Sequence, residues 1–359
     1  MWPRAEQRRR PAVCPGPRAG AGRPQPARRH EREQPARQGR HRPRRPRRCI
    51  GHGGQRDQAL ITPLYVPGFP RGSRARGVSP RYRQVVRDVL VETPTGSLAV
   101  RDYGGAGPQV LLLHGAGHNL EIWRHVIEAI DGAARVVAVD LRGHGQSCVD
   151  ASFTLADLAD DVHRVCTALR MDSPILVGHS LGGWAALAAA SGADITALVV
   201  VEGPVVAMRK LYEALDLPPG YGLDELSTNE FHGDDAAWRK RVDKLSEPGS
   251  VGRAVLERAC LRGSDGLLHS HPLTDELLAA QRCTWQLDPA VAYQHVDAPI
   301  RLVLGTEVDV PRPRRYAKLR RAALDDFDRV QVTWLPGGHH LPVDCPQAVA
   351  DVVRSTFPG

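Results

Sequence analysis

The chain has 359 residues, 42% of them hydrophobic, and a formal net charge of +8, enough for one large domain with an insertion or for two domains. The charge is unevenly divided: residues 1–87 hold 23 Arg, no Lys and four acids (Glu6, Glu31, Glu33, Asp57), a net of +19, which leaves residues 88–359 at −11. An acidic body argues against a folded nucleic-acid-binding surface, and the positive excess belongs to the leader alone.

That leader carries 13 of the 29 prolines and no apolar periodicity. Such a segment buries too little surface to offset its ordering entropy, so residues 1–80 are expected to be disordered. An arginine arm for nucleic acid or an anionic membrane is one reading of it. A translation start placed too far upstream, with the natural protein beginning near Val78, is preferred, and no nucleic-acid partner is expected. The best apolar stretch, Ala59 to Val66, is short and broken by Pro63, which fits neither a signal peptide nor a membrane span. Seven scattered cysteines (14, 49, 148, 166, 260, 283, 345) lack metal-ligand spacing and read as reduced thiols of a cytoplasmic protein. The close pairs His269/His271 and His339/His340 have no third ligand at a plausible offset, so no metal site is expected.

Regular structure is expected from Val85. Asp88–Glu92 and Ser97–Arg101 alternate apolar and polar residues around Thr93-Pro94-Thr95-Gly96, a β-hairpin on a sheet edge. Short apolar strands follow at Val110–Leu113, Val136–Val139, Ile175–Val177 and Ala197–Val201, separated by helical stretches at Leu120–Ile130, Leu155–Leu169 and Trp184–Ala190. This alternation implies right-handed crossovers and a parallel sheet covered on both faces. It stops after the fourth apolar strand and resumes with strands Ile300–Leu304 and Val330–Leu335 and a helix from Pro346 to Phe357. Between them, residues 205–297 show only helical signals, at Val205–Leu215, Asp234–Leu245, Val251–Leu261 and Thr274–Trp285. The expected plan is an α/β core over 85–204 and 298–359, with a mostly parallel eight-stranded sheet and an all-helical lid over 205–297.

Gly178-His179-Ser180-Leu181-Gly182 lies between an apolar strand and a small-residue helix. Glycine two residues either side of a serine on a strand-to-helix turn allows a tight, strained bend that presents the hydroxyl, marking Ser180 as a nucleophile. An activated serine needs a base and a group to orient that base. His339, in Leu335-Pro336-Gly337-Gly338-His339-His340 after the last strand, is the expected base, with His340 its rival. The acid is expected after the penultimate strand, in Gly305-Thr306-Glu307-Val308-Asp309; Asp309 is preferred, with Glu307 and Glu202, at the end of the fourth apolar strand, as alternatives. Backbone N–H groups of Leu181 and of Ala116, in His114-Gly115-Ala116-Gly117-His118, are the expected oxyanion donors. Asp140 to Ser147 is given a structural role beside the site.

These elements together resemble the α/β-hydrolase superfamily, in its lid-bearing branch, over residues 88–359. The resemblance implies Ser180 as nucleophile, His339 as base, and Ala116 and Leu181 as oxyanion donors. It adds Asp344 and Pro346 as the acid and proline that open the last helix. That family commonly puts its aspartate three residues after the strand glycine, a position held here by Val308, so Asp309 requires a slip of one residue. A serine at the elbow argues against dehalogenase or epoxide-hydrolase chemistry. The expected activity is hydrolysis of an ester, thioester, lactone or amide of a small molecule through an acyl-enzyme, without a cofactor. The lid aromatics Tyr212, Phe231, Trp238 and Trp285 would line an acyl pocket. A non-catalytic small-molecule-binding protein on the same scaffold is the alternative, and acyl transfer, C–C hydrolysis and peroxidation by the same residues stay open.

Overall fold

The computed structural model describes residues 61–63, 86–149, 153–218, 221, 230–307 and 310–359. In chain order these form β1 (Ile61–Pro63), β2 (Arg87–Thr93), β3 (Gly96–Gly104), β4 (Gln109–Leu113), α1 (Arg124–Ile130), β5 (Arg135–Val139), β6 (Cys148–Val149), α2 (Leu155–Ala168), β7 (Ile175–His179), α3 (Leu181–Ala190) and β8 (Ala197–Val201). The next segment contains α4 (Met208–Leu215), β9 (His232–Gly233), α5 (Asp235–Leu245), α6 (Val251–Arg258), β10 (Cys260–Arg262), β11 (Leu268–Ser270), α7 (Thr274–Cys283) and α8 (Pro289–Ala292). The chain then returns to the sheet with β12 (Ile300–Gly305), α9 (Pro313–Leu324), β13 (Val330–Leu335), α10 (Leu341–Asp344) and α11 (Pro346–Arg354).

The main sheet runs β1-β2-β3-β5-β4-β7-β8-β12-β13, with β6 paired to β3. From β5 to β13 the pairs are parallel, and β1 to β3 are antiparallel. The eight expected strands are all present. Two short ones join them, β1 and β6, so the sheet has ten strands. β1 lies within the stretch expected to be disordered; the rest of residues 1–80 lies outside the described residues.

The parallel strands are apolar on both faces, as burial under two helical layers demands. Their side chains alternate between two cores: Leu111 and Leu113 of β4 pack on the α2 and α3 side, and Val110 and Leu112 on the α1 and α11 side. The same alternation places Leu176 opposite Ile175 and Val177 in β7. Helix α2 starts with a capping box in which Thr154 accepts from the Asp157 N–H and Asp157 reaches back to the Thr154 N–H.

The segment between β8 and β12 differs from the all-helical expectation, because it carries a second, three-stranded antiparallel sheet, β10-β11-β9. The helical pattern of Val251–Leu261 ends early: α6 stops at Arg258 and Cys260–Arg262 turns at Gly263 to pair with Leu268–Ser270. Phe231, Trp238, Val242 and Cys260 form this segment's own small core. Cys166, Cys260, Cys283 and Cys345 are free thiols. Among the described residues no helix is long and apolar enough to cross a membrane.

Candidate active site

Strand β7 ends at His179 and α3 begins at Leu181, so the whole turn is Ser180, at φ 50° and ψ −115°. A non-glycine residue here costs on the order of 1–3 kcal/mol and persists only where its surroundings impose it. The imposition is visible in the flanking glycines. A Cβ on Gly178 would lie 2.1 Å from the Gly182 carbonyl oxygen, and one on Gly182 would lie 2.2 Å from that of Leu113. The Ser180 N–H donates to Val201 O (3.0 Å), tying the turn to β8.

His339 follows β13 and comes to the same edge of the sheet. Its Nε2 is 3.0 Å from Ser180 Oγ, placing the hydroxyl to donate to an unprotonated Nε2. The other ring nitrogen, Nδ1, is 3.8 Å from Glu202 Oε2. Glu202 directly follows β8, the strand next to β7, and holds φ 46°. Its carboxylate is buried, with Arg320 Nη2 2.6 Å from Oε1 and the Gly305 N–H donating to the same oxygen. Burial pushes this carboxyl up, but His339, Arg320 and the Gly305 N–H together hold it below its ordinary value.

Of the other acid candidates, Glu307 is exposed and its backbone N–H donates to Gly337 O (2.9 Å). Asp309 lies outside the described residues. The structure thus brings Ser180, His339 and Glu202 together, with Glu202 directly after β8.

The loop carrying Ala116 leaves β4, whose Leu113 is in register with Gly178 of the adjacent β7. A Cβ on Gly115 would lie 3.1 Å from Ser180 Cβ, so only glycine lets this loop come so close to the serine. The N–H groups of Ala116 and Leu181 donate to no described residue.

His114 is a structural support. His114 donates from Nδ1 to Gly115 O (2.8 Å) and accepts at Nε2 from the Leu141 N–H (2.9 Å). Asp140 accepts from the Leu120 and Gln146 N–H groups and from Arg258 Nε, each at 2.8–2.9 Å. Ser147 accepts from the Ala99 N–H at 2.8 Å. This net braces the 140–147 loop. Two residues without a sequence signal matter here. His179 Nε2 donates to His339 O (2.7 Å), fixing the backbone that carries the base. Arg320 is one of several arginines on α9, and nothing in the local pattern shows which one turns inward.

His118 packs edge-on to His340 (ring centroids 5.2 Å). Burial, with the neighbouring His340 and His339, lowers its imidazole to about 4. Burial also pushes the thiols of Cys166, Cys260 and Cys283 up to about 12, so none of the three supplies a thiolate nucleophile near neutrality. Of the four expected pocket aromatics, Phe231 and Trp238 stack on each other inside the small core of the second sheet (4.9 Å), and Tyr212 pairs with Trp285 (4.9 Å).

A strained serine between a parallel strand and a helix, facing a histidine on the loop after the last strand, defines a hydrolase scaffold. The sequence profile of the alpha/beta hydrolase family matches residues 110–352. An uncharacterized protein of Mycobacterium bovis is 33% identical over 280 residues, 70% of this chain and 75% of that one. Protein phosphatase methylesterase 1 of Bos taurus is 40% identical over 149 residues, covering 36% of this chain and 39% of the methylesterase. The match thus spans about two fifths of that relative's length. The crystal structure of E-2-(acetamidomethylene)succinate hydrolase superposes with a TM-score of 0.60 at 23% identity, over 76% of this chain and 98% of that chain. A thioesterase domain from the curacin biosynthetic pathway gives 0.54 at 22%, over 75% and 99%. The chain belongs to the alpha/beta hydrolase family.

Proposed function

We propose that the protein cleaves carboxylic esters through an acyl-enzyme, with Ser180 as nucleophile, His339 as general base and Glu202 as the acid that orients it. Supporting this is one geometric relation: Ser180 Oγ and Glu202 Oε2 lie at opposite nitrogens of the same imidazole, at 3.0 and 3.8 Å. Attack of Oγ on the carbonyl carbon transfers its proton to His339 Nε2. The resulting imidazolium is stabilised by the Glu202 carboxylate, and the oxyanion is received by the N–H groups of Leu181 and Ala116. Collapse expels the alcohol, which takes the proton back from Nε2. Water, deprotonated by the same nitrogen, then attacks the acyl carbon and frees Ser180.

Glu202 fits the acid role because it is already ionised by its surroundings and anchored on the oxygen that His339 does not face. Thioesters, lactones and amides pass through the same intermediate, and the similarity to a methylesterase makes small methyl esters the first substrates to try. The segment over 205–297 is proposed as the lid. It reaches the loops beside the site, with Asn119 Nδ2 donating to Val255 O and Gln146 Nε2 to Arg258 O and Cys260 O, all at 2.8 Å.

The test is labelling of the purified protein with a fluorophosphonate, alongside hydrolysis of p-nitrophenyl and methyl esters. Labelling and turnover are expected in the wild type and neither in Ser180→Ala. A folded wild-type protein that takes no label and turns over no ester would leave the scaffold as a binding protein.

A further inference from the structure

The second sheet places two histidines and one aspartate at a single point, away from Ser180. His232 on β9 and His269 on β11 are direct cross-strand partners. Their rings lie 4.4 Å apart between centroids, at 36°. Asp265, in the turn between β10 and β11, reaches back over both: its Oδ2 is 3.3 Å from His232 Nε2 and 2.9 Å from His269 Nε2. One donor atom from each of the three lies within 4.8 Å of the others.

We propose that His232, Asp265 and His269 form a binding site for a divalent transition-metal ion, Zn²⁺ by the chemistry of the donors, which clamps β9 to the β10–β11 hairpin. Zinc takes imidazole nitrogen and carboxylate oxygen at about 2.0–2.2 Å in a tetrahedron, so its ligand atoms stand roughly 3.3 Å from one another. The separations around Asp265 Oδ2 already lie at that value or just below it. Three protein ligands leave a fourth position for water, and His232 and Asp265 are open to solvent, which gives the ion a way in.

The turn is shaped to admit these donors. A Cβ on Gly263 would lie 2.7 Å from both Asp265 Oδ1 and His269 Nε2, so glycine there vacates the space that the ligand atoms occupy. The Leu267 N–H donates to Asp265 Oδ1 (3.0 Å), fixing the carboxylate over the histidines. Metal binding to the folded hairpin alone would raise its stability. The ligands come from positions 37 residues apart, which is why spacing along the sequence gives no metal motif.

The full chain, stripped with EDTA, is titrated with ZnCl₂ by calorimetry at pH 7.5 and melted with and without Zn²⁺. The expected result is a site of one ion per chain and a zinc-dependent rise in Tm. Both are lost, with affinity reduced at least about tenfold, in His232→Ala and Asp265→Asn. The same loss is expected in Gly263→Ala, which keeps every donor and only displaces them. The active-site histidines remain in all three variants, so zinc held there would persist. Wild-type protein that binds no Zn²⁺, or folded variants that bind it as the wild type does, would overturn the assignment and leave a hydrogen-bonded His–Asp–His cluster.

Discussion

Arg320 and Glu202 form a nearly dry ion pair, with Nη2 2.6 Å from Oε1 and side-chain exposures of 3% and 8%. The pair crosses from α9 to the end of β8, and it occupies only one carboxylate oxygen, leaving Oε2 to His339. Arg320 is itself packed over the rings of Trp334 and Tyr316, at 5.1 and 5.6 Å. A carboxylate taken out of water needs such compensation, since removing one partner of a buried pair costs about 3–5 kcal/mol. The arginine thus does two jobs: it keeps Glu202 charged and points its free oxygen at the imidazole.

Arg320→Met should therefore shift a titration as well as weaken the fold. Glu202 now sits below its ordinary carboxyl value; without the guanidinium, one of the groups that lower it is gone and the value rises. Activity that needs the carboxylate is then lost at a higher pH than in the wild type. The acid limb of the kcat/KM profile is expected to move upward, with a lower Tm. A profile that keeps its acid limb while only Tm falls would make the arginine purely structural.

Glu202→Gln should lower kcat by about 10²- to 10⁴-fold, because an amide neither stabilises the imidazolium nor enforces its tautomer. KM should change little. Asp309→Asn and Glu307→Gln are the matched controls and should stay within a few-fold of the wild type. Strong loss in Asp309→Asn with a near-normal Glu202→Gln would return the acid to the loop after β12.

Much of this was legible in the residues. Six apolar runs announced six strands, because a strand covered on both faces must be apolar on both. Ser180 was legible because only glycine fits at 178 and 182, a steric demand that leaves a mark in the sequence. His339 followed from its place after the last strand. The acid was not, because carboxylates follow both β8 and β12, and nothing in the sequence shows that Glu202 comes within 3.8 Å of His339 Nδ1. Arg320 was hidden among equivalent arginines on one helix. The second sheet was missed because its strands are two or three residues long, and an apolar pattern that short reads equally well as a helix end.

Gly182→Ala should test the elbow as a packing device. The added Cβ meets the Leu113 carbonyl at 2.2 Å, a backbone atom with nowhere to move. The expected cost is on the order of 3 kcal/mol, read as a lower urea midpoint with unchanged m. Gly192→Ala is the contrast: a Cβ there has nothing within 4 Å, although φ is +67°, so the loss comes only from backbone strain and should be about 1 kcal/mol. Equal losses at the two sites would refute the steric account of the elbow.

Stability should fall on mild acidification, through histidines that take no part in the reaction. Burial holds His114 and His144 at about 3 and His118 at about 4, against 6.5 for an exposed imidazole. Below pH 6.5 the unfolded chain binds protons that the folded protein refuses, so each of these groups draws the equilibrium toward unfolding. The stabilisation is complete above about pH 6.5 and is lost as pH falls toward 4 and then 3. Each histidine contributes a slope of up to about 1.4 kcal/mol per pH unit. Urea unfolding at pH 7 and pH 5 should show the decline, and His114→Gln should flatten it by one histidine's share. If the variant is less stable at both pH values but keeps the wild-type slope, His114 is not among the groups that set the acid sensitivity.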